Sequence, residues 1–99
     1  MEKTSAAWIK LLRSALPDLG GRYHVTRLWL FGPHMRGKGG PGIPLDILAD
    51  IEGQLSYGDF LELQDALSRL LGVKVELVLK GSLDPSIAEI IIPEMIPVA

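Results

Sequence analysis

Apolar residues recur at helical spacing near the start of the chain. Trp8, Leu11, Leu12 and Ala15 occupy i, i+3, i+4 and i+7 and so share one helix face. Thr4 stands where an N-cap is expected. Pro17 and the Asp18-Leu19-Gly20-Gly21 run predict that this helix, over about residues 4–16, stops at the proline and turns. Val25 to Phe31 is β-rich and almost continuously apolar, which predicts a strand covered on both faces. Leu45 to Ile51 alternates instead: Leu45, Ile47, Ala49 and Ile51 share one face, and Asp46, Leu48 and Asp50 the other.

Between these strands, Gly32 to Pro44 holds five of the eleven glycines and three of the seven prolines, so it reads as a loop with one short helical turn over Pro33 to Arg36. Ser56 to Leu71 has the fullest helix signature. Phe60, Leu63, Leu67, Leu70 and Leu71 form its apolar stripe, and Ser56-x-x-Asp59 resembles a capping box. Asp65 and Arg69 can pair at i, i+4, and Gly72 suits a C-terminal cap. Val73 to Leu79 alternates again, with Val73, Val75, Leu77 and Leu79 on one side and Lys74, Glu76 and Val78 on the other. Asp84-Pro85-Ser86 opens a short final helix to about Ile92, and Pro93 and Pro97 break the tail.

The expected fold is therefore α/β (α+β): a mixed sheet with strands near 25–31, 45–52 and 73–79, and helices packed mainly on one face. At 99 residues this is one domain, residues 1–99, with a thin core. Asp46 and Glu76 then share the open face of the sheet, each from a different strand. Ile87, Ile90, Ile91, Ile92, Met95 and Ile96 are more apolar than a thin last helix easily buries, so this tail or the loop-side face is expected to meet another chain.

Composition narrows the function. A net charge of −2 and a pI near 5.6 argue against nucleic-acid binding through overall basic charge. No cysteine is present, which excludes disulfides and thiolate metal sites and suits a cytoplasmic setting. No apolar run is long enough to span a bilayer, so no membrane role is expected.

Four segments then stand in an informative order. Leu30-Phe31-Gly32-Pro33-His34-Met35-Arg36-Gly37 is followed by Leu45-Asp46-Ile47-Leu48-Ala49-Asp50, by Leu71-Gly72-Val73-Lys74-Val75-Glu76-Leu77-Val78, and by Leu83-Asp84-Pro85 with Ile91-Ile92-Pro93-Glu94-Met95-Ile96-Pro97-Val98. From Val25 onward, these resemble the minimal nucleotidyltransferase (MNT) family, whose members read "LFGSxARG", "SDIDLLVDF", "LGxxVDLV" and "LxPxxxxxIxxEAVxV". The resemblance implies a magnesium-dependent transfer of AMP from ATP. Carboxylates at i and i+2 of one strand, and a third from its neighbour, would hold the metal. A Gly-Ser turn would face the phosphates.

On that resemblance Asp46 is the second acid of the pair and Glu76 the third carboxylate, one methylene longer than the usual Asp. Together they are the candidate catalytic and metal residues. Gly32 and Arg36 are the candidate nucleotide-binding positions. Pro44 stands where the first Asp belongs, and Pro33 replaces the serine, removing both a hydroxyl and an N–H. Asp50 lies roughly 13 Å further along its strand, too far to share an ion bound at about 2.1 Å. His34 offers a nitrogen that magnesium binds poorly.

The resemblance therefore implies a catalytically impaired domain that works by binding, antitoxin-like, to a small HEPN-type protein or by self-association. The alternative is an active magnesium-dependent enzyme transferring AMP to a protein acceptor. Trp8 and Trp29 read as core or partner contacts rather than as nucleobase platforms.

Overall fold

The computed structural model describes residues 5–98, so the expected N-cap at Thr4 lies outside the described residues. In chain order the elements are α1 (Ser5–Tyr23), β1 (Val25–Phe31), β2 (Leu45–Ile51), α2 (Tyr57–Leu71), β3 (Val75–Leu79), α3 (Pro85–Ile91) and β4 (Ile96–Pro97). Short 3-10 turns follow β1 at Pro33–Arg36, β3 at Lys80–Ser82 and α3 at Ile92–Glu94. The sheet order is β3-β2-β1-β4. β1 runs antiparallel to β2 and β4, while β2 and β3 are parallel, so the sheet is mixed as expected.

β1 and β2 have the bounds that their patterns predict. Leu28, Leu30, Leu45, Ile47, Ala49, Val75 and Leu77 face Trp8, Leu12 and Leu19 of α1 and Leu63, Leu67 and Leu71 of α2 in the main core. Trp29, Phe31 and Leu48 point to the other face, where Ile91 of α3 covers them together with Val78, Leu83 and Met95. Both faces of β1 are thus covered over its C-terminal half, whereas Thr26 and Arg27 are exposed. Among the described residues, no helix is long and apolar enough to cross a membrane.

Three expectations need correcting. Pro17 does not end the first helix: it lies inside α1, which continues to Tyr23. An interior proline costs about 3 kcal/mol. What offsets it is the burial of Leu19 and Tyr23, which prolong the stripe begun by Trp8 and Leu12, and the 2.8 Å bond from the Tyr23 hydroxyl to Glu62. The helix ends instead at His24, whose φ of 62° is left-handed and whose N–H reaches the Gly20 carbonyl.

The third strand begins at Val75 rather than Val73. Gly72, at φ 68°, caps α2 through a bond to the Ser68 carbonyl, and Val73 still packs on the core while the chain reverses. The tail, finally, is not simply broken by its prolines. Ile96–Pro97 forms a fourth strand, where Pro97 pairs with Trp29 at the sheet edge and an absent N–H is tolerated. Val98, fully buried, bonds back to the Leu28 carbonyl.

α2 matches its signature. The Ser56 hydroxyl accepts from the Asp59 N–H at 3.1 Å, and Arg69 pairs with Asp65 at 3.0 Å. The helix also closes an edge of the sheet. Leu45 donates to the Lys74 carbonyl, so alternate β3 residues face away from β2. The outward N–H of Val75 donates to the Ser68 hydroxyl at 2.9 Å, and that of Leu77 to the Gln64 side-chain carbonyl at 3.0 Å. Gln64→Leu should therefore cost about 1–3 kcal/mol, the penalty for an orphaned, partly buried donor. Urea denaturation checks this; an unchanged midpoint would show that Gln64 does not hold that edge.

Candidate functional site

Beyond Phe31 the chain must turn sharply next to the neighbouring strand. Gly32 adopts φ 86° and ψ −164°, a conformation open to glycine alone. A Cβ at this position would also overlap the carboxylate of Asp46. The glycine is thus required twice, by its backbone and by the acid it lies against. Pro33–Arg36 then forms its turn, with the Met35 and Arg36 N–H groups donating to the Gly32 carbonyl at 3.0 and 3.3 Å. Gly37, left-handed at φ 73°, closes the turn.

His34 braces this loop from inside. Its Nε2 donates to the Ile43 carbonyl at 2.6 Å, and its ring meets the Trp8 indole edge-on with centroids 5.3 Å apart. A side chain at Gly39 would overlap the imidazole.

The strand register builds the acidic pair. Phe31 of β1 stands opposite Asp46 of β2, which in turn is level with Glu76 of β3. Asp46 and Glu76 therefore lie side by side on one face, near enough for each carboxyl to act on the other. Burial raises the Asp46 carboxyl from 3.8 to about 6, helped by the negative charge of Glu76 and by hydrogen bonding of the protonated form to the Glu76 side chain, while His34 and Arg36 pull it back. Asp50 lies level with Arg27, well along the strand from this pair.

That displacement has a measurable consequence. Folded Asp46 keeps its proton to about pH 6, whereas the unfolded side chain releases it near 3.8. Between those values the folded state binds more protons, so stability falls as pH rises through the window and stays lower above it. Asp46→Asn should remove this dependence. At neutral pH it should stabilise the chain by about 1 kcal/mol, once the shift is discounted for a group still partly open to water. Melting curves at pH 4 and pH 7.5 check it: the gain should appear only at the higher pH. A variant that is equally stable or less stable there would contradict it.

The other candidate positions are placed as follows. Arg36 leaves the turn toward the C-terminal segment, where its Nη1 donates to Glu94 at 2.8 Å. Pro44 immediately precedes β2, two residues before Asp46. Among the described residues, no group of three or more His, Cys, Asp or Glu side chains is placed to hold a metal ion. Among the described residues, no third acid, His or Cys joins Asp46 and Glu76 as a ligand. Glu94 and the bracing role of His34 were missing from the reading of the sequence. Glu94 lies in one of the four ordered segments, but no spacing rule connects it to a residue 58 positions away.

Comparison with known proteins bears on the family and the fold. Residues 9–98 match the family model described as a nucleotidyltransferase domain. The protein adenylyltransferase MntA of Thermococcus cleftensis is 35% identical over 86 residues, 87% of each chain. A solved structure described as a minimal nucleotidyltransferase superposes with a TM-score of 0.71 at 33% identity, over 90% of this chain and 94% of that one. A tri-AMPylated HEPN toxin of Shewanella oneidensis in complex with its MNT antitoxin gives a TM-score of 0.61 at 22% identity, over 92% of this chain and 65% of the other. That last likeness is one of fold.

Proposed function

The chain belongs to the minimal nucleotidyltransferase family within the nucleotidyltransferase-domain group, and from that premise we propose that it acts by binding a small HEPN-type partner, antitoxin-like, in the cytoplasm, with nucleotide transfer weak or lost. The observation that carries the proposal is the two-carboxylate site. Asp46 and Glu76 converge, no third acid joins them among the described residues, and prolines occupy positions 33 and 44.

Magnesium is often held by one or two carboxylates completed by substrate phosphates and water. Asp46 and Glu76 fit one such ion, since a cation between them would relieve the repulsion that raises the Asp46 carboxyl. They do not fit a two-ion clamp. When bound, the ion would neutralise charge on the ATP phosphates. This chain's own share is to place the Gly32 turn and the Arg36 guanidinium beside those phosphates and to keep Asp46 and Glu76 level. The presence of the acidic pair and Arg36 in one site favours a second reading, a working enzyme that transfers AMP from ATP to a protein acceptor with these groups alone.

The partner-binding part rests on the outer side of α3. Ile91 is buried, while Ile87, Ile90 and Ile92 are 47%, 62% and 55% exposed. Three large aliphatic side chains on one short segment suit the apolar centre of an interface. The double variant Ile87→Glu, Ile90→Glu should weaken a complex with a HEPN-type partner about a hundredfold, and should leave the melting temperature within a few degrees. Co-purification and calorimetry with a HEPN-type protein test it. Unchanged affinity would remove α3 from the interface. Light scattering on the chain alone would show whether the same face serves self-association.

A further inference from the structure

We propose that Glu94 is a positioning residue for the nucleotide loop: its carboxylate fixes the Arg36 guanidinium, and through it the Gly32–Gly37 turn, in the orientation that receives a phosphate group. The inference rests on the reading that nucleotide phosphates lie at this turn, and it adds the C-terminal segment to the site.

Glu94 is itself well anchored. It closes the 3-10 turn Ile92–Glu94, and the Met95 N–H returns to the Ile92 carbonyl at 3.3 Å. Met95 packs against the cluster of Trp29, Phe31, Leu48 and Ile91, and Ile96–Pro97 immediately enters the sheet beside β1. The carboxylate therefore extends from a short stretch held at both ends. Arg36 ends the 3-10 turn of a glycine- and proline-rich loop, where the Met35, Arg36, Gly37 and Lys38 N–H groups bond back to the Gly32, His34 and Pro33 carbonyls of the same loop.

The 2.8 Å contact joins these two segments. The side chains of Arg36 and Glu94 are 47% and 27% exposed, so the pair is partly sheltered from water. It uses one guanidinium nitrogen, Nη1. A guanidinium carries five N–H donors in a fixed fork, so one bond to Glu94 sets its orientation without exhausting it. The Arg36 N–H also donates to the Gly32 carbonyl, and Gly32 lies against the Asp46 carboxylate. A continuous path of contacts thus runs from Glu94 through Arg36 and Gly32 to the acidic pair.

Two measurements test this, one without nucleotide. In the free protein, Glu94→Ala should speed hydrogen exchange about tenfold at the Met35, Arg36, Gly37 and Lys38 amides and leave α2 unchanged. In calorimetry with magnesium and a non-hydrolysable ATP analogue, Glu94→Ala should weaken binding about fivefold. It should have no further effect in an Arg36→Ala background. The charge-exchanged pair Arg36→Glu, Glu94→Arg should recover the loop's exchange protection but not nucleotide affinity.

Unchanged loop exchange in Glu94→Ala would overturn the proposal. So would tighter nucleotide binding, which would mean that Glu94 withholds Arg36 from phosphates, and so would an equal loss in the Arg36→Ala background. If the unmodified chain binds no nucleotide, phosphate reception at Arg36 is overturned with the nucleotide reading. The exchange data would then still decide whether Glu94 orders the loop.

Discussion

The double variant Pro44→Asp, Pro33→Ser should transfer AMP to a HEPN-type acceptor at least a hundredfold faster than the unmodified chain, a gain of about 3 kcal/mol in transition-state stabilisation. Residue 44 precedes Asp46 by two, and along an extended chain that spacing puts both side chains on one face. An aspartate there would join Asp46 and Glu76, and three carboxylates can hold divalent ions that two hold poorly. Serine at position 33 returns a hydroxyl and an N–H to the turn beside Gly32, which Pro33 cannot supply. The gains need not add, because groups in one site act together. The same substitution should lower stability without metal, since it places a third negative charge next to a pair already in conflict. Magnesium with ATP should restore that stability. Single-turnover transfer assays and melting curves with and without magnesium check both halves. A restored variant that is no faster would place the defect elsewhere than at residues 33 and 44.

Gly32→Ala should be among the most destabilising single changes in the chain. Its φ of 86° with ψ of −164° is closed to a residue with a side chain, and the new Cβ would overlap the Asp46 carboxylate. Strain and displacement together should cost about 3 kcal/mol, which for a chain of this size lowers Tm by roughly 10–20 °C. Gly37→Ala is the control. Gly37 is also left-handed, at φ 73°, but nothing lies within 4 Å of its Cβ position. It should therefore cost only about 1 kcal/mol. Similar losses at the two positions would contradict both the glycine-only backbone at Gly32 and its close contact with Asp46.

How much was legible in the sequence depended on whether the determining contacts were local. β1, β2 and α2 followed from periodicity and caps, because alternation and the Ser56 and Gly72 signals act within a few residues. Asp46 and Glu76 could be assigned to one face from alternation alone. That they lie level with each other depends on the parallel register between β2 and β3, which neither strand's own pattern encodes. Pro17 misled because its local cost was legible, whereas the tertiary burial of Leu19 and Tyr23 that offsets it was not. β4 was missed because two residues carry no detectable period, and because proline, a strand breaker in general, is acceptable at an edge. The Arg36–Glu94 pair and the His34 brace are side-chain contacts made across the fold, and they became visible only once the chain was assembled.

Binding without efficient transfer can be read in one experiment: mix the unmodified chain with a HEPN-type partner, magnesium and ATP, isolate the complex, and weigh the partner by intact-protein mass spectrometry. The complex should be stable and its partner should gain no AMP, or gain it far more slowly than with the Pro44→Asp, Pro33→Ser variant. A partner fully AMP-modified at a rate matching the restored variant, or no complex at all, would contradict binding without efficient transfer.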